Sequence, residues 1–303
     1  MTETARGAAA ARAAAMAALL AVAAGGCGAD PTPSLFANAK QVRVGAKNDQ
    51  PGTGFEAHAG EFSGLDITVT TELLNEIGAK SPIFGGVLSK NRAIDLHSKK
   101  FDLVAATFSI TDNRMLPLGT STEAGGLDFV GPYASTLQGM LVRAADKDRY
   151  RTLDDLVGKR VCVWGGTTSA EQLKETGKQF DTTVLDDAGY CVKALKENRT
   201  DAVSTDLLIL YGFMQADASL TVVPELAFGR GNDYGIALAK GHRKDCERLR
   251  DALKKYVAGN NWTRDLRDNL KLVPQAMADE ARPTATEIDA LSCRDHPDPA
   301  YAK

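Results

Sequence analysis

The chain has 303 residues, with 36 Lys and Arg against 39 Asp and Glu, a net charge of −3, 44% hydrophobic and 25% charged residues. That length supports one large domain or two ordinary ones, and the balance of apolar and charged residues excludes wholesale disorder. With no basic excess and only 6% aromatic residues, the composition argues against a nucleic-acid scaffold.

Residues 1–26 differ from the rest. Arg6 and Arg12 supply positive charge, Ala13–Ala24 runs apolar through Met16, Leu19, Leu20 and Val22, and Gly25, Gly26 and Cys27 follow. A charged start, a short apolar run and small residues before a cut describe an export signal peptide over 1–26, whose apolar run of about 12 residues is too short to span a bilayer. Ala24-Gly25-Gly26-Cys27 resembles a lipobox, which implies acylation of Cys27 and a lipidated tether over 27–39. The expected location is the extracellular face of the cell membrane, held by a lipid anchor, since no other stretch could cross.

Export bears on the five cysteines, because thiols outside the cytosol tend to pair. With Cys27 lipidated, Cys162, Cys191, Cys246 and Cys293 allow three connectivities. Cys162–Cys191 with Cys246–Cys293 is favoured because each bond would staple neighbouring elements of one lobe. No Cys-x-x-Cys or His spacing supports a metal site, and no cofactor is expected.

Along the mature chain, Gln41–Ala46 alternates as a strand and runs into a Gly/Pro/Asp-rich loop, Lys47–Phe55. A helical face over Leu65–Ile77, a helical stretch Asn91–His97 and an apolar strand Phe101–Ala106 follow. After an extended stretch, Thr136–Arg143, the alternation becomes clearer: strands at Arg160–Trp164, Thr182–Leu185 and Asp201–Thr205, and helices at Ala170–Phe180, Ala188–Asn198 and Leu207–Ala216. A second extended stretch, Tyr234–Lys240, precedes helices Arg243–Ala258 and Trp262–Leu270. Strands and helices alternating at this spacing predict βαβ units in two α/β lobes. The chain crosses twice between them: residues 40–134 and 235–303 form lobe 1, and 135–234 form lobe 2 with the hinge strands.

Ligands of open parallel sheets bind beyond the carboxyl ends of the strands. Three segments occupy that position. Ala105–Arg114 offers the hydroxyls of Thr107, Ser109 and Thr111 and the cation of Arg114. Gly165–Ser169 offers backbone amides and hydroxyls without the lysine of a P-loop. Thr205-Asp206 offers a carboxylate. Together they meet the needs of a zwitterion, a guanidinium for its carboxylate and a carboxylate for its ammonium.

The chain resembles the extracellular solute-binding proteins (family 3) of polar amino-acid ABC importers, and among them the glutamate-binding lipoproteins of Gram-positive bacteria. The motifs are Val44-Gly-Ala-Lys-Asn-Asp-Gln-Pro-Gly, Gly64-Leu-Asp-Ile-Thr-Val, the run Phe101–Arg114, Phe129-Val-Gly-Pro-Tyr133, Gly166-Thr-Thr, Asp201–Asp206 and Tyr234-Gly-Ile-Ala-Leu. The resemblance implies a two-lobed periplasmic-binding-protein-like (type II) α/β fold, each lobe a mostly parallel sheet flanked by helices, with two hinge crossovers. It implies that Arg114 clamps the ligand α-carboxylate with Ser109 and Thr168. The Thr107 backbone and Asp206 would take the α-ammonium, and Lys47 the side-chain carboxylate. It also supports the Cys162–Cys191 pair. The expected partners are an amino-acid ligand, glutamate favoured, and an ABC permease and ATPase complex; a monomer is expected, with no nucleic acid.

Two positions depart from the family pattern: an aromatic is absent near Gln50, and Trp164 stands where a smaller or basic residue is common. Arg92 is read as a buried inter-element pair, and Asp66 and Asp102 as residues shaping loops and caps. The four histidines, His58, His97, His242 and His296, are read as surface residues. The alternatives are an exported dehydratase-like enzyme on the same fold and an amino-acid sensor module. An enzyme would need a general acid beside Arg114, and the only carboxylates at the strand ends, Asp112 and Asp206, already have roles.

Overall fold

The computed structural model describes residues 33–37, 41–79, 81–116 and 126–301. The expected export signal over 1–26 and the acylation at Cys27 lie outside the described residues. Part of the expected tether is described. Ser34 Oγ and Leu35 N–H donate to the two carboxylate oxygens of Asp245, each at 2.7 Å, and Phe36 is buried in the main apolar cluster.

The first half begins with β1 (Val42–Ala46), as its alternation predicts. The predicted loop after it instead folds into a small antiparallel sheet of β2 (Asp49–Gln50), β3 (Gly54–His58) and β4 (Glu61–Ser63). Next come α1 (Leu65–Glu76), β5 (Pro82–Gly86), α2 (Arg92–His97), β6 (Leu103–Ser109) and the short α3 (Asp112–Met115). All seven residues of β6 are buried, the pattern of a strand covered on both faces.

β7 (Leu127–Arg143) is one 17-residue strand, of which the sequence indicated only the second half. The second half of the molecule follows: β8 (Arg160–Trp164), α4 (Ser169–Glu175), β9 (Asp181–Leu185), α5 (Ala188–Lys196), β10 (Ala202–Asp206), α6 (Leu207–Ala216) and β11 (Leu220–Val222). Helix α4 stops well short of the predicted Phe180; Gly177, in a left-handed conformation at φ +70°, turns the chain out of the helix. β12 (Phe228–Ala239) returns to the first half, followed by α7 (Arg243–Ala258), α8 (Asn261–Asn269), α9 (Gln275–Ala281) and α10 (Ala285–Leu291). The last two helices were not foreseen, although Thr284 and Glu287 form a capping box that starts α10.

Among the described residues, the strands join in the order β5-β1-β6-β12-β7-β10-β8-β9, with β11 also on β7. β5, β1 and β6 pair in parallel, as do β10, β8 and β9. The long antiparallel strands β7 and β12 join these two parallel sets and pair with each other. Each half has its own apolar cluster, one around Val104, Phe108 and Phe129 and one around Val142, Val161 and Leu226, and a larger cluster runs through both.

Both expected disulfides are present. Cys162–Cys191 ties β8 to α5, and Cys246–Cys293 ties α7 to the segment after α10. The histidine expectation holds for His58 and His296, which are exposed, but His97 and His242 are half-buried. His242 precedes α7, where packing covers its Nδ1.

Candidate functional site

The carboxyl ends of β6, β8 and β10 converge on a small cavity together with the loop after β1. Thr107 and Ser109 line it from β6, Trp164 from β8, Thr167 and Thr168 from the turn after β8, and Thr205 and Asp206 from β10. Gln50, Ser89, Arg92 and Ile209 complete the wall. Four expected ligand residues, Thr107, Ser109, Thr168 and Asp206, therefore share one cavity.

Arg114 lies beside it, buried, with Nη1 donating to the Ser109 carbonyl at 2.7 Å and Nη2 to the Gly166 carbonyl at 3.2 Å. Arg92 donates to the same Gly166 carbonyl at 2.6 Å, and also to the carbonyls of Ser89, Ala106 and Thr107. The two guanidiniums share the ring of Phe108, with Cζ atoms 4.0 Å and 4.6 Å from its centroid. Arg92 thus makes the buried inter-element contacts expected of it and also forms part of the cavity wall.

Gly166 permits this approach. Its φ is +78°, and a Cβ there would lie 2.5 Å from the backbone N and Cα of Lys90. Only glycine combines that conformation with so close a neighbour.

Asp206 is the cavity's carboxylate. It accepts hydrogen bonds from Gln138 Nε2 at 2.5 Å, Asn232 Nδ2 at 2.7 Å and the Tyr234 hydroxyl at 2.8 Å. Burial pushes its pKa up to about 6 against the opposing effects of the Tyr234 and Asn232 hydrogen bonds and of Arg92 and Arg114. Thr168 donates to Asn232 Oδ1 at 3.0 Å, so the turn before α4 and β12 hold each other beside Asp206.

Thr107 sits at φ +45°, where a β-branched residue is strained. Its N–H donates to Asp66 Oδ2 at 2.9 Å and its hydroxyl to Gln50 Oε1 at 3.0 Å. Asp66 also accepts the Tyr133 hydroxyl at 2.6 Å, and burial raises its carboxyl to about 7. The loop-shaping role expected of Asp66 is therefore to pin the end of β6. Asp102 does related work at the surface, where it pairs with Arg43.

Lys47 is fully buried but does not line the cavity. Its Nζ lies 3.2 Å from Asp49 Oδ1 and donates to the Val87 carbonyl at 3.3 Å; burial lowers its pKa, with Asp49 opposing. Ser89 and Ile209 are wall residues to which the sequence alone assigned no ligand role; Thr167 and Thr205 lie in the predicted strand-end segments, and Gln50 and Trp164 mark the two departures from the family pattern. No group of His, Cys, Asp and Glu among the described residues is arranged to hold a metal.

The profile of the bacterial extracellular solute-binding proteins, family 3, matches residues 42–267. The glutamate-binding protein GluB of Corynebacterium efficiens is 31% identical over 240 residues, covering 76% of this chain and 78% of the relative. Among solved structures, a cysteine-binding protein from Campylobacter jejuni superposes with a TM-score of 0.69 at 23% identity, covering 80% of this chain and 95% of that one. An ancestral arginine-binding protein bound to arginine superposes with a TM-score of 0.65 at 26% identity, covering 76% of this chain and 98% of that one. All three carry the names of binding proteins, and the architecture that the two solved structures share with this chain is two-lobed.

Proposed function

Because the chain belongs to the bacterial extracellular solute-binding proteins, family 3, we propose that it is the amino-acid receptor of an ABC importer and that its ligand is glutamate. The observation that carries this reading is the balance of charge at the cavity: two guanidiniums, Arg92 and Arg114, against one carboxylate, Asp206. Glutamate brings the complement, two carboxylates and one ammonium. Arg114, with the Ser109 and Thr168 hydroxyls, takes the α-carboxylate in place of the backbone carbonyls it now holds, and Asp206 takes the α-ammonium beside the Thr107 carbonyl. Arg92 faces the second carboxylate, and Lys47 adds positive potential from behind the wall.

The first lobe, residues 40–134 and 235–303, supplies Arg114 and Ser109, and the second, residues 135–234, supplies Thr168 and Asp206. A ligand that contacts both lobes stabilises their closed arrangement, because it makes those contacts only there. Closure around glutamate is then the signal read by a membrane permease with its ATPase. Export by the signal over 1–26 and acylation at Cys27 would keep the receptor on the extracellular face of the membrane. The likeness to a glutamate-binding protein supports the choice of ligand.

Thermal shift with the twenty amino acids, followed by calorimetry, tests the reading. Glutamate at a hundred times its dissociation constant should add about 2.7 kcal/mol of stability. A larger shift with arginine or an aliphatic amino acid would replace glutamate as the ligand, and turnover of a prephenate-like acid would replace the receptor reading with an enzyme.

A further inference from the structure

We propose that the indole N–H of Trp164 reads the side chain of the ligand, selecting amino acids whose side chain ends in an oxygen acceptor. This inference rests on the amino-acid receptor reading above and adds the group that sets specificity. Trp164 ends β8, lines the cavity and is 1% exposed. Its Nε1 is buried and has no acceptor among the described residues. The other tryptophan, Trp262, donates to the Tyr133 carbonyl at 2.6 Å. Buried donors are rarely left unmet in a native fold, and one in a cavity wall is explained by an acceptor that arrives with the ligand.

The backbone at this point is held in place. The Thr167 hydroxyl donates to the Trp164 carbonyl at 2.8 Å, closing the turn that follows β8, and the ring packs in the main apolar cluster. An indole N–H donates and cannot accept. A ligand side chain ending in an ammonium or a guanidinium would find no partner in it, whereas a carboxylate or carboxamide oxygen would. Arg92 in the same wall then favours the carboxylate over the carboxamide, because a hydrogen bond between two charged groups is the stronger. Glutamine should therefore bind more weakly than glutamate, and norvaline, a glutamate-length chain without oxygen, more weakly still.

Trp164→Phe keeps an aromatic ring and removes the N–H. Calorimetry should show glutamate affinity falling by about tenfold more in this variant than norvaline affinity measured by competition. Equal glutamate affinity in the two proteins, or an equal loss for glutamate and norvaline, overturns the assignment while leaving the receptor reading intact. If the wild-type protein binds none of the amino acids, the receptor reading itself falls. Should Trp164→Phe fail to fold, 15N-tryptophan spectra of the wild-type protein decide, with Trp262→Phe assigning the two indole signals. Glutamate should move the Trp164 indole proton strongly downfield; an unmoved signal overturns the proposal.

Discussion

The backbone amide of Gly189, in the first turn of α5, donates to Asp49 Oδ2 at 3.1 Å, which joins the loop after β1 to a helix of the other half of the molecule. Asp49 does so without lining the cavity. A carboxylate at a helix N-terminus is worth about 0.3–1 kcal/mol, so Asp49→Ala should weaken ligand affinity by a few-fold through a less stable closed form. The same change strips the buried Lys47 of its anionic partner, so Asp49→Asn serves as the control. Asparagine keeps an acceptor for Gly189, and its affinity should lie between those of the other two proteins. Equal affinities in calorimetry would exclude this bond from closure.

Gly166 offers a sharper test of the same movement. Its Cα hydrogen faces the backbone of Lys90 at a distance that leaves no room for a methyl group. Gly166→Ala should leave both halves folded, at a cost of about 1–2 kcal/mol for the left-handed conformation, yet hold them apart. The expected result is a cooperative melt close to that of the wild type, a larger radius of gyration in X-ray scattering with ligand, and loss of binding. Wild-type affinity in this variant would show that Lys90 can give way.

Arg114→Ala should cost about 2–5 kcal/mol in ligand binding, since the α-carboxylate would then be buried without its guanidinium. Arg114→Lys keeps the charge but loses the fork that reaches both the Ser109 and Gly166 carbonyls. It should recover only part of the loss. Full activity of the lysine variant in calorimetry would mean that charge alone, and not the bidentate geometry, matters at this position.

The parts of this arrangement that the sequence made legible are those encoded locally. β1 alternates, β6 and β8 are largely apolar and β10 begins with Ala-Val before its polar end, patterns that a sheet buries, and Ser109, Thr168 and Asp206 stand at or just beyond strand ends, where parallel sheets bind ligands. Gln50 and Trp164 were legible only as departures from a family pattern; their place in the wall depends on how β2 and β8 lie against β6 and β10. Arg92 was read as a buried inter-element pair, and nothing nearby in sequence reveals that its guanidinium reaches Gly166, 74 positions away. The hairpin β2–β4 escaped because its strands are two to five residues long and lie among Gly and Pro. The first half of β7 escaped because Gly131-Pro132 reads as a break.

The two disulfides should stabilise the protein without contributing to recognition, since neither pair lines the cavity. Cys246–Cys293 spans 47 positions and should contribute about 4 kcal/mol by restricting the unfolded chain, and Cys162–Cys191, spanning 29, slightly less. The tail beyond Cys293 is also held by Asp295, which pairs with Lys240 and Arg243. The Cys246→Ser/Cys293→Ser protein should therefore melt at lower temperature yet bind ligand with unchanged affinity. A large loss of affinity at a temperature where the protein remains folded would give the tail a role in the site.

The pH dependence of binding should follow Asp206, and it runs opposite to that of stability. Burial raises its carboxyl to about 6, so the fold favours the neutral form. Its contribution to stability is complete below the ordinary carboxylate range and is lost as the pH rises through about 6. Binding needs the ionised form, because an ammonium ligand is held by a carboxylate and not by a carboxylic acid. Affinity should thus be constant above about pH 7 and fall below about pH 6, approaching tenfold per pH unit if one proton competes with the ligand. Asp66, raised to about 7, faces Thr107 and Tyr133 rather than the ligand. It should steepen the loss of stability as the pH rises through 7 without adding a second step to binding. Asp206→Asn should bind weakly with a flat profile between about pH 5 and 7, whereas Asp66→Asn should retain the wild-type profile. If the slope survives in Asp206→Asn, another group governs it and the ammonium contact belongs elsewhere.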